Sequence, residues 1–171
     1  MPKSFLIGCI LVGLALPATA EQLPRTQTKT LDGQEVIFPK NVNGKPLVLL
    51  VGFSHKSSGD LMEWNRLCTQ RYWTDMRLEY YELADLQGLP FLVKPMVLHG
   101  MRRAVPAGER SHFAPFYESE VAWKQLIQYS EPENIYVVVA DATGKVAFKT
   151  KGPATSGKCK DLLDAADRVT K

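Results

Sequence analysis

The stretch "LVLLVGFSHKSSGDLMEW", residues 47–64, decides the fold. Leu47–Phe53 is an unbroken apolar run, the pattern of a strand covered on both faces rather than one. It breaks off into Ser54, His55, Lys56, Ser57 and Ser58. Leu61, Met62, Trp64, Leu67 and Cys68 then recur at helical spacing, which predicts a helix of about three turns or more. Ser57 or Ser58 is the expected cap, with Asp60 in the first turn near the positive helix end. A strand that runs directly into a helix makes a corner where a cysteine would be held as thiolate. This corner carries serines instead.

Upstream, Asp32-Gly33 is a hairpin signal between Thr28–Leu31 and Glu35–Phe38. Asn43-Gly44 predicts another turn, and Pro46 leads into the central run. Downstream, "MRLEYYELADL" (residues 76–86) reads as a strand ending near Leu83. Pro90, Pro95, Pro106 and Pro115 divide the next segment. A helix is expected from about Lys94 to Arg103, with Pro95 in its first turn, and another from Glu120 to Tyr129. Ile135–Ala140 and Val146–Thr150 flank Asp141-Ala142-Thr143-Gly144 as a hairpin. The last helix, "SGKCKDLLDAADRVTK", turns Leu162, Leu163, Ala166 and Val169 inward. This order, a βαβ unit followed by a hairpin and a closing helix, predicts an α/β, thioredoxin-like fold. Its central mixed sheet is flanked by helices and preceded by an N-terminal β-hairpin.

The chain has 171 residues, of which 45% are hydrophobic and 23% charged, enough for one domain with a real core. "MPKSFLIGCILVGLALPATA" has an early cation, a short apolar centre and Ala18-Thr19-Ala20 as a cleavage site. It reads as a secretory signal over residues 1–20, leaving one domain over residues 21–171. The apolar centre is short for a membrane span of about 20 residues, and no later segment is long and apolar enough for one. The net charge is +3 and falls by one when Lys3 leaves with the signal. This balance carries no nucleic-acid signature, and export argues against such a partner. The expected location is periplasmic or secreted, through Gram-negative-type export.

"LDGQEVIFPKNVNGKPLVLLVGFS" resembles the opening of redoxin-type thioredoxin-like domains, and "YVVVADATGKVAFKTKG" resembles their hairpin. The second half, "MRRAVPAGERSHFAPFY" and then "NIYVVVADATGKVAFKTKGPAT", is similar to the thioredoxin-like assembly factor of the mitochondrial ATP synthase and its bacterial relatives. That resemblance implies a non-catalytic assembly or chaperone role. The secretory signal departs from the mitochondrial case, so the partner does not carry over.

Aligning Phe53 with the aromatic that ends a thioredoxin central strand puts Ser58 at the attacking-cysteine position and Leu61 at the resolving one. The cis-proline position of a thioredoxin falls near Ile135, with Pro132 about three residues early. The redox residues are therefore absent, and Ser54, His55, Ser57 and Ser58 form a candidate binding corner. A serine nucleophile with His55 as its base would need an orienting acid and an oxyanion hole; Asp60 lies too near in sequence for triad geometry, and there is no G-x-S-x-G signature. Cys68 and Cys159 are a candidate disulfide. Export favours the bond. Cys68 lies about 15 Å down its helix axis while Cys159 opens the last helix, and that offset disfavours it. A thiol-disulfide oxidoreductase using these two cysteines is the alternative function. Lys94, Arg102, Arg103 and Arg110 form a candidate docking patch for an acidic partner or lipid headgroups. His55, His99 and His112 lack metal-ligand spacing, so neither metal nor cofactor is expected. Trp64, Tyr72 and Trp73 read as packing. The resulting expectation is an exported, non-catalytic protein that binds or assembles a membrane or periplasmic protein partner, with peripheral membrane association.

Overall fold

The computed structural model describes residues 21–40, 44–72 and 77–171, without the side chains of residues 68–72. Residues 1–20, where a secretory signal was expected, lie outside the described residues, as do Asn43, Trp73, Met76 and the side chains of Cys68 and Tyr72. In chain order the strands are β1 (Thr26–Lys29), β2 (Glu35–Phe38), β3 (Leu47–Gly52), β4 (Glu79–Asp85), β5 (Phe113–Phe116), β6 (Ile135–Ala140) and β7 (Val146–Lys151). The helices are α1 (Ser58–Tyr72), α2 (Lys94–Ala104), α3 (Glu120–Leu126) and α4 (Ser156–Val169). No helix among the described residues is long and apolar enough to cross a membrane.

β1 and β2 form a separate hairpin, and the other strands form one sheet in the order β5-β4-β3-β6-β7. β3, β4 and β5 run parallel, β6 lies antiparallel to β3, and β7 antiparallel to β6. This is the expected mixed sheet, flanked by helices and opened by a hairpin.

The unbroken run at residues 47–52 is explained by cover on both faces. Val48 and Leu50 join Tyr80, Val137 and Val139 against Trp64 of α1 and Leu162, Ala165 and Ala166 of α4. Leu47, Leu49 and Val51 join Tyr81, Leu83 and Val138 against Trp123 of α3 and Val36 and Phe38 of the hairpin. Alternate residues of one strand serve two cores. Trp64 also donates its indole N–H to the Gly152 carbonyl at 2.9 Å, which fixes α1 against the end of β7.

Several boundaries differ from expectation, each for a local reason. β1 begins and ends two residues earlier than Thr28–Leu31, because Thr30 is drawn into the turn. The Thr30 hydroxyl accepts the Gln34 N–H at 3.0 Å and bonds the Asp32 carboxylate. Gly33 there adopts φ +96°, a conformation that favours glycine. β4 runs on past Leu83 to Asp85 because β5 pairs with it as far as Asp85↔Phe116. β5 itself was not expected, since Pro115 interrupts the run. It sits at the sheet edge, where a missing N–H is tolerated, and the Pro115 carbonyl accepts the Thr28 hydroxyl. α3 stops at Leu126 rather than Tyr129, and Gln128 takes φ +51°. Met62, placed inward by its spacing, is 69% exposed.

Candidate functional site: the strand-to-helix corner

The carboxyl ends of β3, β4 and β5 share one edge of the sheet, the edge where open α/β sheets form their crevices. β3 ends at Gly52, and half-buried Phe53 packs edge-on to three rings: Tyr129 at 5.2 Å, Tyr136 at 5.9 Å and Phe116 at 6.3 Å between centroids. The Lys124 ammonium lies 4.6 Å from the Tyr129 ring and 5.5 Å from Phe53, paired with Glu120 one turn away.

From Phe53 the chain enters a 3-10 turn, His55–Ser57, which feeds directly into α1. This turn precedes the helix proper, which begins at Ser58. The cap of the turn is Ser54: it is extended, its Oγ accepts the Lys56 N–H at 3.2 Å, and its hydroxyl donates to the Pro132 carbonyl at 2.7 Å. Ser57 is buried and donates to the Ser54 carbonyl at 2.8 Å. A Cβ on Gly52 would lie 3.1 Å from that hydroxyl oxygen, so Ser57 fills the space behind the strand end. Ser58 is the first residue of α1 and Leu61 packs partly into the core. The residues of the capped turn ahead of the helix are thus Ser54, His55 and Lys56, while Ser58 opens α1 and Leu61 lies inside it. By either placement no cysteine occupies the thiolate position.

Exposed Lys56 pairs with Glu133 at 3.0 Å, and its hydrogen bond holds the Glu133 carboxyl below the usual carboxylate range. Exposed His55 sits beside it. Ser54 and Lys56 together tie the helix start to residues 132 and 133. Ile135, where a cis-proline was sought, instead opens β6 and pairs with Gly52. Among the described residues the cis peptide is Phe38–Pro39.

The candidate docking patch is brought together only in part. Lys94 lies over the Tyr117 ring at 5.1 Å, and Arg102 lines the same groove as Tyr117. Arg110 turns back to the Val105 carbonyl at 3.1 Å, and Arg103 is exposed. His112 stacks on Tyr80 at 4.5 Å, on a different element from His55 and His99.

Cys159, in the first turn of α4, carries a free thiol and packs partly against the core that α4 shares with α1. Burial, with the Glu63 charge, pushes this thiol up from its ordinary pKa. That keeps it protonated at neutral pH, the opposite of a reactive cysteine. The Cys68 side chain lies outside the described residues.

Sequence reasoning missed Glu82. It lies on β4 between Leu50 of β3 and Phe113 of β5, and it is only 7% exposed. Burial, with the Glu109 charge, pushes its carboxyl up to about 8. The available signal was an acid inside the β-rich run "EYYELAD".

No family model matches the chain, and no curated protein matches it. Solved structures do. One is BsSco, a member of the Sco family of cytochrome c oxidase assembly proteins, at TM-score 0.63 and 11% identity over 89% of this chain and 95% of that one. A second is a putative thiol:disulfide interchange protein, DsbE, from Chlorobium tepidum, at TM-score 0.58 and 10% identity over 89% and 97%. A third is the exposed lipoprotein thioredoxin of Streptococcus pneumoniae, at TM-score 0.58 and 10% identity over 84% and 99%. These likenesses establish the thioredoxin-like fold.

Proposed function

We propose that the chain is an exported, non-catalytic thioredoxin-like protein that binds or helps assemble a membrane or periplasmic protein partner. The observation that carries this reading is the corner itself. The position where the fold brings a helix start to the end of its central strand holds Ser54, His55 and Lys56, and Ser54 and Lys56 are spent on capping and on the bridge to Pro132 and Glu133. Neither serine hydroxyl is free to be activated as a nucleophile: Ser54 donates to the Pro132 carbonyl, and Ser57 is buried and donates to the Ser54 carbonyl. What remains is a rigid, partly charged corner over a cluster of aromatic rings, suited to contact rather than turnover.

Export is supported by the leader pattern of residues 1–20 and by fold neighbours that include an exposed lipoprotein. An assembly role is supported by the resemblance of the second half to an ATP synthase assembly factor. An oxidoreductase using Cys68 and Cys159 is disfavoured by the raised pKa of Cys159.

The test is turnover. Purified protein is expected to give no insulin reduction, peroxidase activity or disulfide exchange above a no-protein control. Sustained turnover in any of these assays rejects the non-catalytic reading.

A further inference from the structure

α2 buries none of its residues completely, yet one of its faces is put to use. Lys94, Leu98 and Arg102 follow one another at four-residue steps and so share a face. Leu98 and Arg102 line a groove of about 360 Å³ together with Gln27, Thr28, Lys29, Glu35 and Tyr117. That volume is within the range of sites that hold ligands. Lys94 closes over the Tyr117 ring at the same place. Phe91, 83% exposed, stands one turn before Lys94.

The charges in this groove are unbalanced. Lys29, Lys94 and Arg102 form no ion pair among the described residues, whereas other lysines such as Lys45, Lys149 and Lys160 each hold a carboxylate. Arg102 spends its Nε–H on the Leu31 carbonyl at 3.0 Å, which fixes the guanidinium and leaves its other N–H groups for a ligand. The acid in the lining, Glu35, already accepts from Gln27 at 2.6 Å.

We infer that this groove between β1, α2 and Tyr117 binds an extended segment of a partner protein. The segment places a carboxylate between Lys94 and Arg102 and apolar side chains on Leu98 and Phe91. The positioned cations supply specificity and register, and the apolar surface supplies the burial. The inference rests on the binding role proposed above. The two fail separately: thiol turnover would remove that role without touching the groove, and a groove that binds nothing would leave the absence of turnover intact.

The probe is a fluorescein-labelled peptide, acetyl-Leu-Glu-Leu-Asp-Val-Glu-Leu-amide, read by anisotropy with the full chain. Its counterpart with lysine at each acidic position is read in parallel. Saturable binding of the acidic peptide is expected, at least about tenfold tighter than the basic one and weakening with salt. K94E and R102E should each lower that affinity by about tenfold or more, and R103E, on the exposed side, should leave it unchanged. K94E breaks no backbone contact, so it reports on the groove even where R102E disturbs the fold through Leu31. Equal binding of the two peptides, or wild-type affinity in K94E, overturns the inference. Capture of the chain by phosphatidylglycerol vesicles through Lys94 and Arg102, with no peptide binding, overturns it in favour of a lipid surface.

Discussion

Glu82 makes the folded chain sensitive to pH in a range where most carboxylates are silent. Glu82 is flanked in register by Leu50 and Phe113 and is only 7% exposed, and burial, reinforced by Glu109, raises its pKa from an ordinary 4.5 to about 8. Below pH 4.5 the group is protonated in both folded and unfolded chains and adds no pH dependence. Between that value and about 8 the folded chain keeps a proton that the unfolded chain has released, so stability falls as pH rises. Above about 8 both forms are ionised and the loss levels off. At about 1.4 kcal/mol per pH unit, the full loss is on the order of 5 kcal/mol, a large share of an ordinary folding free energy. Glu63 and Glu133, held low by hydrogen bonds to Arg66 and Lys56, act in the opposite sense, losing stability as pH falls, and below this window. Urea unfolding followed by tryptophan fluorescence at several pH values between about 5 and 9 measures the slope. Glu82→Gln removes the ionisation while keeping the shape. It should flatten the profile, match the wild type near pH 5 within about 1 kcal/mol, and exceed it by several kcal/mol above pH 8. A variant that keeps the wild-type slope, or a wild type that gains stability from pH 5 to 8, would refute the assignment of a buried, protonated Glu82.

Two further outcomes are expected. Ser54→Ala removes both the cap on Lys56 and the bond to Pro132, and should cost about 1–2 kcal/mol in urea unfolding, with faster amide exchange confined to residues 54–57 and 131–134. An unchanged midpoint would show that Ser54 is not the cap. In a Cys68→Ser background Cys159 is the sole thiol of residues 21–171, and iodoacetamide at neutral pH should modify that segment several-fold more slowly than free cysteine, approaching the free rate only at strongly alkaline pH. Faster modification would mean a thiolate-stabilising site that the surroundings do not provide.

The parts of the fold legible in the sequence were those set by local chemistry. Leu47–Gly52 is apolar at every position because two cores claim alternate residues, and its shortness and the Pro46 and serine boundaries separate it from a buried helix. Asp32-Gly33 and Asp141–Gly144 announce their hairpins because φ +96° at Gly33 and +86° at Gly144 favour glycine. β5 was hidden because Pro115 is a breaker everywhere except at an edge, and edge status exists only once β4 has been placed. Glu82 was hidden for a related reason. An acid in a strand normally faces water, and only the flanking of β4 by both β3 and β5 shows that this one does not. The groove beside Tyr117 joins residues 27–35, 98–102 and 117, and no spacing within any one segment records that meeting.

The serines of the corner were legible as polar turn residues, but their division of labour was not. Three serines near a helix start offer three candidate caps, and local preference does not choose among them. Packing does. Ser57 is forced inward because Gly52 leaves room behind the strand end and the Ile135 side chain closes the other side, 3.4 Å from the place a Gly52 Cβ would take. With Ser57 inward and bonded to the Ser54 carbonyl, a 3-10 turn over His55–Ser57 leads into the helix, which begins at Ser58. Ser54 then becomes the cap, and the same hydroxyl reaches Pro132 across the edge of the sheet. The two inner serines are thereby consumed by the fold. His55 and Lys56 are left as the outward-facing polar groups of the helix start, with Lys56 held by Glu133. A partner that reads this corner must read His55 and the Lys56–Glu133 pair, and substitution of the serines would reach it only through the backbone they hold.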